Sequence, residues 1–116
     1  MTESALRKGT MMSIEDKLAI QEIIAQYSYT YDGKDAEGFT GRFTSRHYQS
    51  GLLFDELTSD SALTRTMVLV THQGVAEAAP RPIISGVYHD QWRKTHTGWR
   101  LAHRAAHVDG DAGFSK

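Results

Sequence analysis

The fold is decided around residues 27–35, which read YSYTYDGKD. Tyr27 and Tyr31 are four residues apart, so they lie on the same face of a helix. Asp32 follows directly, and Gly33 is the residue type that commonly ends a helix. A carboxylate at the end of an apolar helical face can enter a pocket that holds little water. In such a pocket its proton affinity rises, and it can act as an acid or a base.

The residues before this stretch predict an amphipathic helix over residues 14–31. The apolar side chains that recur at the spacing of one helical face are Ile20, Ile23, Ile24, Tyr27 and Tyr31. Ser13 precedes acidic residues of the first turn, an arrangement close to a capping box. Beyond the glycine, Asp35 is a candidate cap for a second, shorter helix over residues 36–43.

The second half of the chain predicts β-structure. Runs rich in aromatic and β-branched residues predict strands at residues 48–57, 62–72, 83–93 and 99–108. Turn-forming residues separate the strands at 58–61, at 75–82, where both prolines lie, and at the hairpin connection 94–98. Helices followed by closely spaced strands predict an α+β domain, in which an antiparallel meander carries the helices on one face.

Composition sets limits on the class of protein. The chain has 116 residues, which predicts a single domain over residues 13–108 between flexible tails at 1–12 and 109–116. The net charge of −1 gives no electrostatic reason to expect nucleic acid or an anionic membrane as a partner. With no cysteine in the sequence, disulfides, thiol nucleophiles and cysteine metal sites are excluded. No membrane span or signal peptide is recognisable, so we expect a cytoplasmic protein.

Two histidines fall on strand faces that could look toward Asp32. His72 shares one face of its strand with Val70, Val68 and Thr66, because alternate residues of a strand point the same way. His47 is expected to share a face with Gln49, Gly51 and Leu53. If the helices cover both faces, a carboxylate, two imidazoles and a tyrosine surround an apolar hollow. Such a set can move a proton next to a carbonyl group or eliminate water.

Each of these residues also has an ordinary structural interpretation. Asp32 beside Gly33 is a common helix-ending pair. A single inward histidine is often a hydrogen-bonded core residue, and Tyr27 and Tyr31 fit a helix core. No short-range pair of ligands supports a metal site, and no phosphate loop or dinucleotide fingerprint is present, so we predict neither a metal nor a cofactor.

Several segments resemble the SnoaL-like family of the nuclear-transport-factor-two-like superfamily, and within it the scytalone dehydratases. They are residues 31–35 with Phe43-Thr44, residues 86–93 (GVYHDQWR) and residues 97–101 (TGWRL). The resemblance implies a cone-like α+β barrel, in which N-terminal helices pack on the concave face of a curved antiparallel sheet over a hydrophobic cavity. It implies four catalytic positions, namely Tyr31, Asp32, His47 within RHY and His72 within VTHQ.

The function implied is that of a lyase or isomerase of the dehydratase or cyclase type. Its substrate would be a small, apolar, oxygenated molecule, such as an aromatic or polyketide-like compound, which we expect to contact Tyr27, Val70 and Tyr88. The sequence departs from the family pattern at Thr44-Ser45, where a segment that forms one wall of the cavity is missing. An open apolar hollow favours a homo-oligomer, with exchange of elements between subunits as one form of it. The alternative function is a non-catalytic ligand-binding or oligomerisation module, in a shortened family member or deletion variant without an intact active site.

Overall fold

In the described part of the chain, one helix packs on a four-stranded antiparallel sheet. The computed structural model describes residues 14–30 and 43–110. Residues 14–30 form helix α1, and the strands are β1 (Phe43–Leu57), β2 (Ser61–Gly74), β3 (Arg81–Thr95) and β4 (Gly98–Val108). Neighbours in sequence are neighbours in the sheet, with the order β1-β2-β3-β4. The predicted α+β class, with a helix on the concave face of a curved antiparallel meander, is confirmed.

The hydrophobic core lies where α1 crosses one half of the sheet. Ile20 and Ile24 are buried one helical turn apart, as the sequence spacing predicts. They pack against Ala62 of β2, Trp92 of β3 and Trp99 of β4. The core is therefore at the end of the sheet that carries the β1–β2 and β3–β4 turns.

Two tryptophan hydrogen bonds fix the elements around this core. The indole Nε1 of Trp99 donates to Asp16 Oδ1 over 2.9 Å, and Lys94 Nζ donates to the same oxygen over 3.0 Å. The N-terminal turn of α1 is thereby attached to the β3–β4 hairpin. Trp92 Nε1 donates to Thr64 Oγ1 over 2.9 Å, which satisfies two buried polar groups at once.

The predicted faces hold along β2 and fail halfway along β1. Val68 and Val70 are buried on the concave face, with His72 two residues further along the same strand. On β1, Gly51 has a φ of 66° and lies in a bulge, where the register jumps between Ser50 and Leu53. The extra residue reverses the alternation, so Leu53 is 51% exposed and does not share the face of His47 as predicted.

Strand pairing extends the strands beyond their predicted ends. β1 begins at Phe43 rather than at residue 48, because its polar first residues pair with the end of β2, as in Ser45 opposite His72. Thr44-Ser45 therefore lies inside a strand. Phe43, predicted as the last residue of a second helix, is the first residue of β1, and the rest of that prediction lies outside the described residues. The β3–β4 connection is shorter than predicted, since Thr95 already pairs with Gly98.

Other predictions fall partly or wholly outside the described residues. These are the N-terminal tail, Tyr31 and Asp32, and residues 111–116 of the C-terminal tail. The domain limits at residues 13 and 108 stay predictions. Within residues 14–30 and 43–110, no helix is long and apolar enough to cross a membrane.

We expect the core to depend on Ile20 far more than on its neighbour Leu18. Ile20 is completely buried, whereas Leu18 on the same helix is 62% exposed. Ile20→Ala leaves a cavity under α1 and should lower the free energy of unfolding by ~2–5 kcal/mol. Leu18→Ala, the matched control, should change it by less than about 0.5 kcal/mol. Urea denaturation followed by tryptophan fluorescence measures both, and equal losses would contradict this position of the core.

Candidate functional site

A cavity of about 120 Å³ lies on the concave face, beyond the hydrophobic core. Its walls come from β1, β2, β3 and β4, so it spans the whole sheet. The residues that line it include His47, Val68, Val70, Ile84, Gly86, Tyr88, Ala106 and Val108. For comparison, an apolar cavity of about 150 Å³ in a protein core can hold benzene. The volume fits about one ring.

The strand register brings these side chains together. His47 is opposite Val70, which is opposite Ile84, so one row crosses the first three strands. Tyr88 is opposite Ala106 in the next two strands. Gly86 leaves the floor open, and a Cβ atom at this position would lie 2.5 Å from the carbonyl oxygen of His107. This close approach of β3 and β4 requires glycine.

The structure brings together three of the residues predicted from the sequence. His47, Val70 and Tyr88 line the same cavity. His72 is two residues beyond Val70 on the same strand and is partly buried opposite Ser45.

The remaining predicted residues lie elsewhere. Tyr27 lies in a different cleft, between α1 and β4, beside Trp99 and Leu101. Tyr31 and Asp32 fall outside the described residues. The last described turn of α1 ends at Thr30, so Asp32 follows it by two residues in sequence.

A buried ion pair beside the cavity was not predicted. Arg104 Nε donates to Asp90 Oδ1 over 2.8 Å, and Arg104 Nη2 donates to Asp90 Oδ2 over 2.9 Å. Arg104 Nη2 also donates to Gln49 Oε1 over 3.3 Å. Gln49 Nε2 in turn donates to Ser28 Oγ over 2.6 Å. The chain of hydrogen bonds therefore links β3, β4, β1 and the C-terminal part of α1.

The inward position of Asp90, one member of this pair, could have been predicted from the sequence. Tyr88, Asp90 and Trp92 alternate along β3, and alternation with two aromatic residues predicts an inward carboxylate that needs a cationic partner. The partner could not be identified in the same way. Ala102 is an extra residue in β4, where the register jumps, and it moves Arg104 onto the face that simple alternation assigns to His103.

The opposite, convex face carries an ion pair of the same geometry that is open to solvent. Arg65 Nε donates to Asp55 Oδ2 over 2.8 Å, and Arg65 Nη2 donates to Asp55 Oδ1 over 2.9 Å. The hydrogen bond from Arg65 holds the pKa of Asp55 below its ordinary value, and the same bond raises the pKa of Arg65.

Chemically, the cavity combines an imidazole with apolar walls. Beside it, in the part of the chain that the structure describes, the charges of Asp90 and Arg104 neutralise each other. His47 can accept or donate a proton at the cavity wall. Ser45 Oγ and Thr66 Oγ1, both buried, have no hydrogen-bond partner among the residues described. In that part of the chain, no group of three or more His, Asp or Glu side chains could hold a metal ion.

Comparison with known proteins identifies the family. The profile of a family described as a SnoaL-like domain matches residues 40–105. This range includes β1, β2 and β3 in full and β4 as far as residue 105, so the cavity-lining residues Ala106, His107 and Val108 lie just beyond it. No curated protein sequence matches the chain.

Solved structures show the same fold at low sequence identity. A candidate scytalone dehydratase from Novosphingobium aromaticivorans is 20% identical, with a TM-score of 0.71 over 87% of this chain and 89% of that one. LinA is 14% identical, with a TM-score of 0.69 over 87% of this chain and 90% of that one. A Mycobacterium tuberculosis protein of unknown function is 24% identical, with a TM-score of 0.69 over 84% and 73% of the two chains.

We expect a larger side chain at residue 106 to block the cavity. Ala106 lines it, whereas Ala102 lies on the same strand outside it. Cyclohexanone, an uncharged single ring with one oxygen, is a suitable probe, and its binding can be followed by chemical shifts in the amide NMR spectrum. Ala106→Leu should weaken binding at least about tenfold because it fills the pocket that buries the ring. Ala102→Leu should leave binding unchanged, and equal effects of the two variants would contradict this location.

Proposed function

Because the chain belongs to the SnoaL-like domain family of the nuclear-transport-factor-two-like superfamily, we propose that it is a cofactor-independent lyase or isomerase. Its substrate is a small, apolar, oxygenated molecule. The observation that carries the proposal is the meeting of His47, Val70 and Tyr88 in one cavity, on the concave face of the sheet. A titratable group against apolar walls is the arrangement expected of a site for general acid–base chemistry.

The size and charge of the cavity limit the range of possible substrates. A volume of about 120 Å³ accommodates about one ring, so a larger aromatic or polyketide-like substrate would place only one ring inside it. The valine and isoleucine walls favour an apolar ring, and the neutral ion pair beside them disfavours a carboxylate or an amine. An uncharged cyclic ketone or phenol fits these constraints.

The reaction follows from proton transfer at carbon. His47 or His72 takes a proton from the carbon next to a carbonyl group, and the electron pair moves to form an enolate. Tyr31 donates a hydrogen bond to the enolate oxygen. In a dehydration, a hydroxyl group on the next carbon then leaves as water, with a proton supplied by Asp32 or by the second histidine. In an isomerisation, the same proton returns at another carbon. Asp32 could alternatively orient His72 or a water molecule.

The alternative function is a ligand-binding or oligomerisation module without catalysis. It shares the cavity and differs only in the absence of proton transfer. Exchange of hydrogen at the carbon next to a carbonyl separates the two functions, because it needs a base and does not need the natural substrate. A cytoplasmic location, also expected from the sequence, stays a prediction.

The test is the exchange of α-hydrogens of cyclic ketones in D₂O, measured by proton NMR. We expect Asp32→Asn, and the double variant His47→Ala/His72→Ala that removes both candidate bases, each to lower the catalysed rate by at least about 100-fold, the usual contribution of a general acid or base. His96→Ala, which changes an exposed histidine of the β3–β4 turn, should leave the rate unchanged. Circular dichroism should show that all three variants keep the fold. Survival of the full rate in both site variants would disprove these roles, and binding without exchange in the unmodified protein would favour the alternative function.

A homo-oligomer is the second part of the proposal, and the convex face supports it. Tyr48, Met67 and Leu69 are exposed and lie on adjacent strands there, with Tyr48 opposite Leu69. A contiguous apolar surface of this kind is typical of an interface, and a second copy of the chain is the partner that we propose.

We expect light scattering coupled to size-exclusion chromatography to give at least twice the mass of the chain. Met67→Lys should reduce that mass to one chain, because it buries a charge in the contact. Val75→Lys, at an exposed residue of the β2–β3 loop, should have no effect. A clean monomer for the unmodified protein would end this part of the proposal.

A further inference from the structure

The guanidinium group of Arg104 lies on the boundary between the hydrophobic core and the cavity. Arg104 projects from β4 and reaches across the concave face to Gln49 on β1. Its central carbon lies 3.9 Å from the centroid of the Tyr88 ring. Tyr88 lines the cavity, and Arg104, which does not line it, contacts the same ring.

The stability of the fold does not by itself explain why this ion pair is buried. The side chain of Asp90 is fully buried and that of Arg104 is only 14% exposed. A buried ion pair loses about as much hydration as it gains in attraction, and apolar residues of similar volume often serve stability equally well. A pair of apolar side chains could not fix the orientation of a guanidinium group. The two parallel hydrogen bonds to Asp90 hold the guanidinium plane in one orientation.

A fixed guanidinium fixes the aromatic ring beside it. A cation over the face of an aromatic ring is attracted to its electron cloud, and the attraction grows when water is excluded. The same guanidinium is connected through Gln49 to Ser28, in the last described turn of α1. The guanidinium group of Arg104 therefore contacts Tyr88 directly and is connected through Gln49 to the last described turn of α1.

We propose that Arg104 is a positioning residue, which holds the ring of Tyr88 as a rigid wall of the ligand cavity. Asp90 holds Arg104 in turn. The inference rests on the proposed function only in taking this cavity as the ligand site. A purely structural role for the pair is the competing explanation, and it predicts loss of stability without any specific effect at Tyr88.

The molecule contains its own control for the test. Arg65 and Asp55 form a pair with the same Nε and Nη2 hydrogen bonds, between neighbouring strands of the same sheet, on the opposite face. Arg104→Lys and Arg65→Lys both keep a positive charge and remove the two-pronged hydrogen bond. The two variants differ in the face of the sheet that they affect.

The measurement is fluorine NMR of the full chain labelled with 3-fluorotyrosine. The chain has five tyrosines, and Tyr88→Phe identifies the signal of Tyr88 by its disappearance. We expect Arg104→Lys to move and broaden that signal, and to weaken cyclohexanone binding at least about tenfold, since a misplaced wall loses its contacts with the ring. Arg65→Lys should change neither the Tyr88 signal nor the affinity.

An unchanged Tyr88 signal and an unchanged affinity in Arg104→Lys would overturn the proposal, whatever the loss of stability. If Arg104→Lys does not fold, Asp90→Asn makes the same test, because it keeps the size of the side chain and removes the charge that orients Arg104. Failure of the proposed function is a different result. In that case no ketone exchange occurs, while the Tyr88 signal still responds to Arg104→Lys.

Discussion

Within residues 14–30 and 43–110, the one helix is shorter than the strands on which it packs, and this difference in length divides the concave face. Helix α1, over residues 14–30, is about 25 Å long, whereas a strand of 15 residues such as β1 extends for about 50 Å. The contacts of Asp16 with Trp99 and Lys94 attach the helix to one end of the sheet. The apolar face of the helix then builds the core there. The other half of the concave face holds the cavity, and the hydrogen-bonded side chains of Gln49, Asp90 and Arg104 lie between the two regions.

The parts of the fold that could be predicted from the sequence are those governed by an unbroken period. The 3.6-residue spacing of Ile20 and Ile24 identified the buried face of α1, and strict alternation identified the inward face of β2. The parts that failed are governed by pairing between strands. Residues 43–47 are too polar for a strand to be predicted from their sequence, yet they form the start of β1 because they pair with the end of β2. Leu53 was assigned to the wrong face because a bulge at Gly51 changes the alternation, and a glycine alone does not distinguish a bulge from a bend.

The site divides in the same way. His47, Val70 and Tyr88 line one cavity, and the first two could be placed because the alternation before the bulge is regular. Arg104 could not be placed, since its face depends on the extra residue at Ala102. Asp32 and Tyr31, which the sequence singled out first, are beyond the described part of α1, and their roles stay predictions. The described walls therefore determine much of the shape and polarity of the cavity, while the acid–base chemistry stays a proposal based on the family and on His47.

Two of the four register shifts in the described sheet also affect how this chain can be compared with its relatives. Each one adds a residue to one strand and none to its partner, at Gly51 in β1 and at Ala102 in β4. Before each bulge one set of alternate residues faces the core, and after it the other set does. A relative that lacks one bulge, aligned without a gap, would show polar residues in its core and apolar residues in water over half a strand. Single-residue alignment gaps at these two points therefore correspond to the presence or absence of a bulge. Their correct placement decides whether an arginine equivalent to Arg104 is found in a relative.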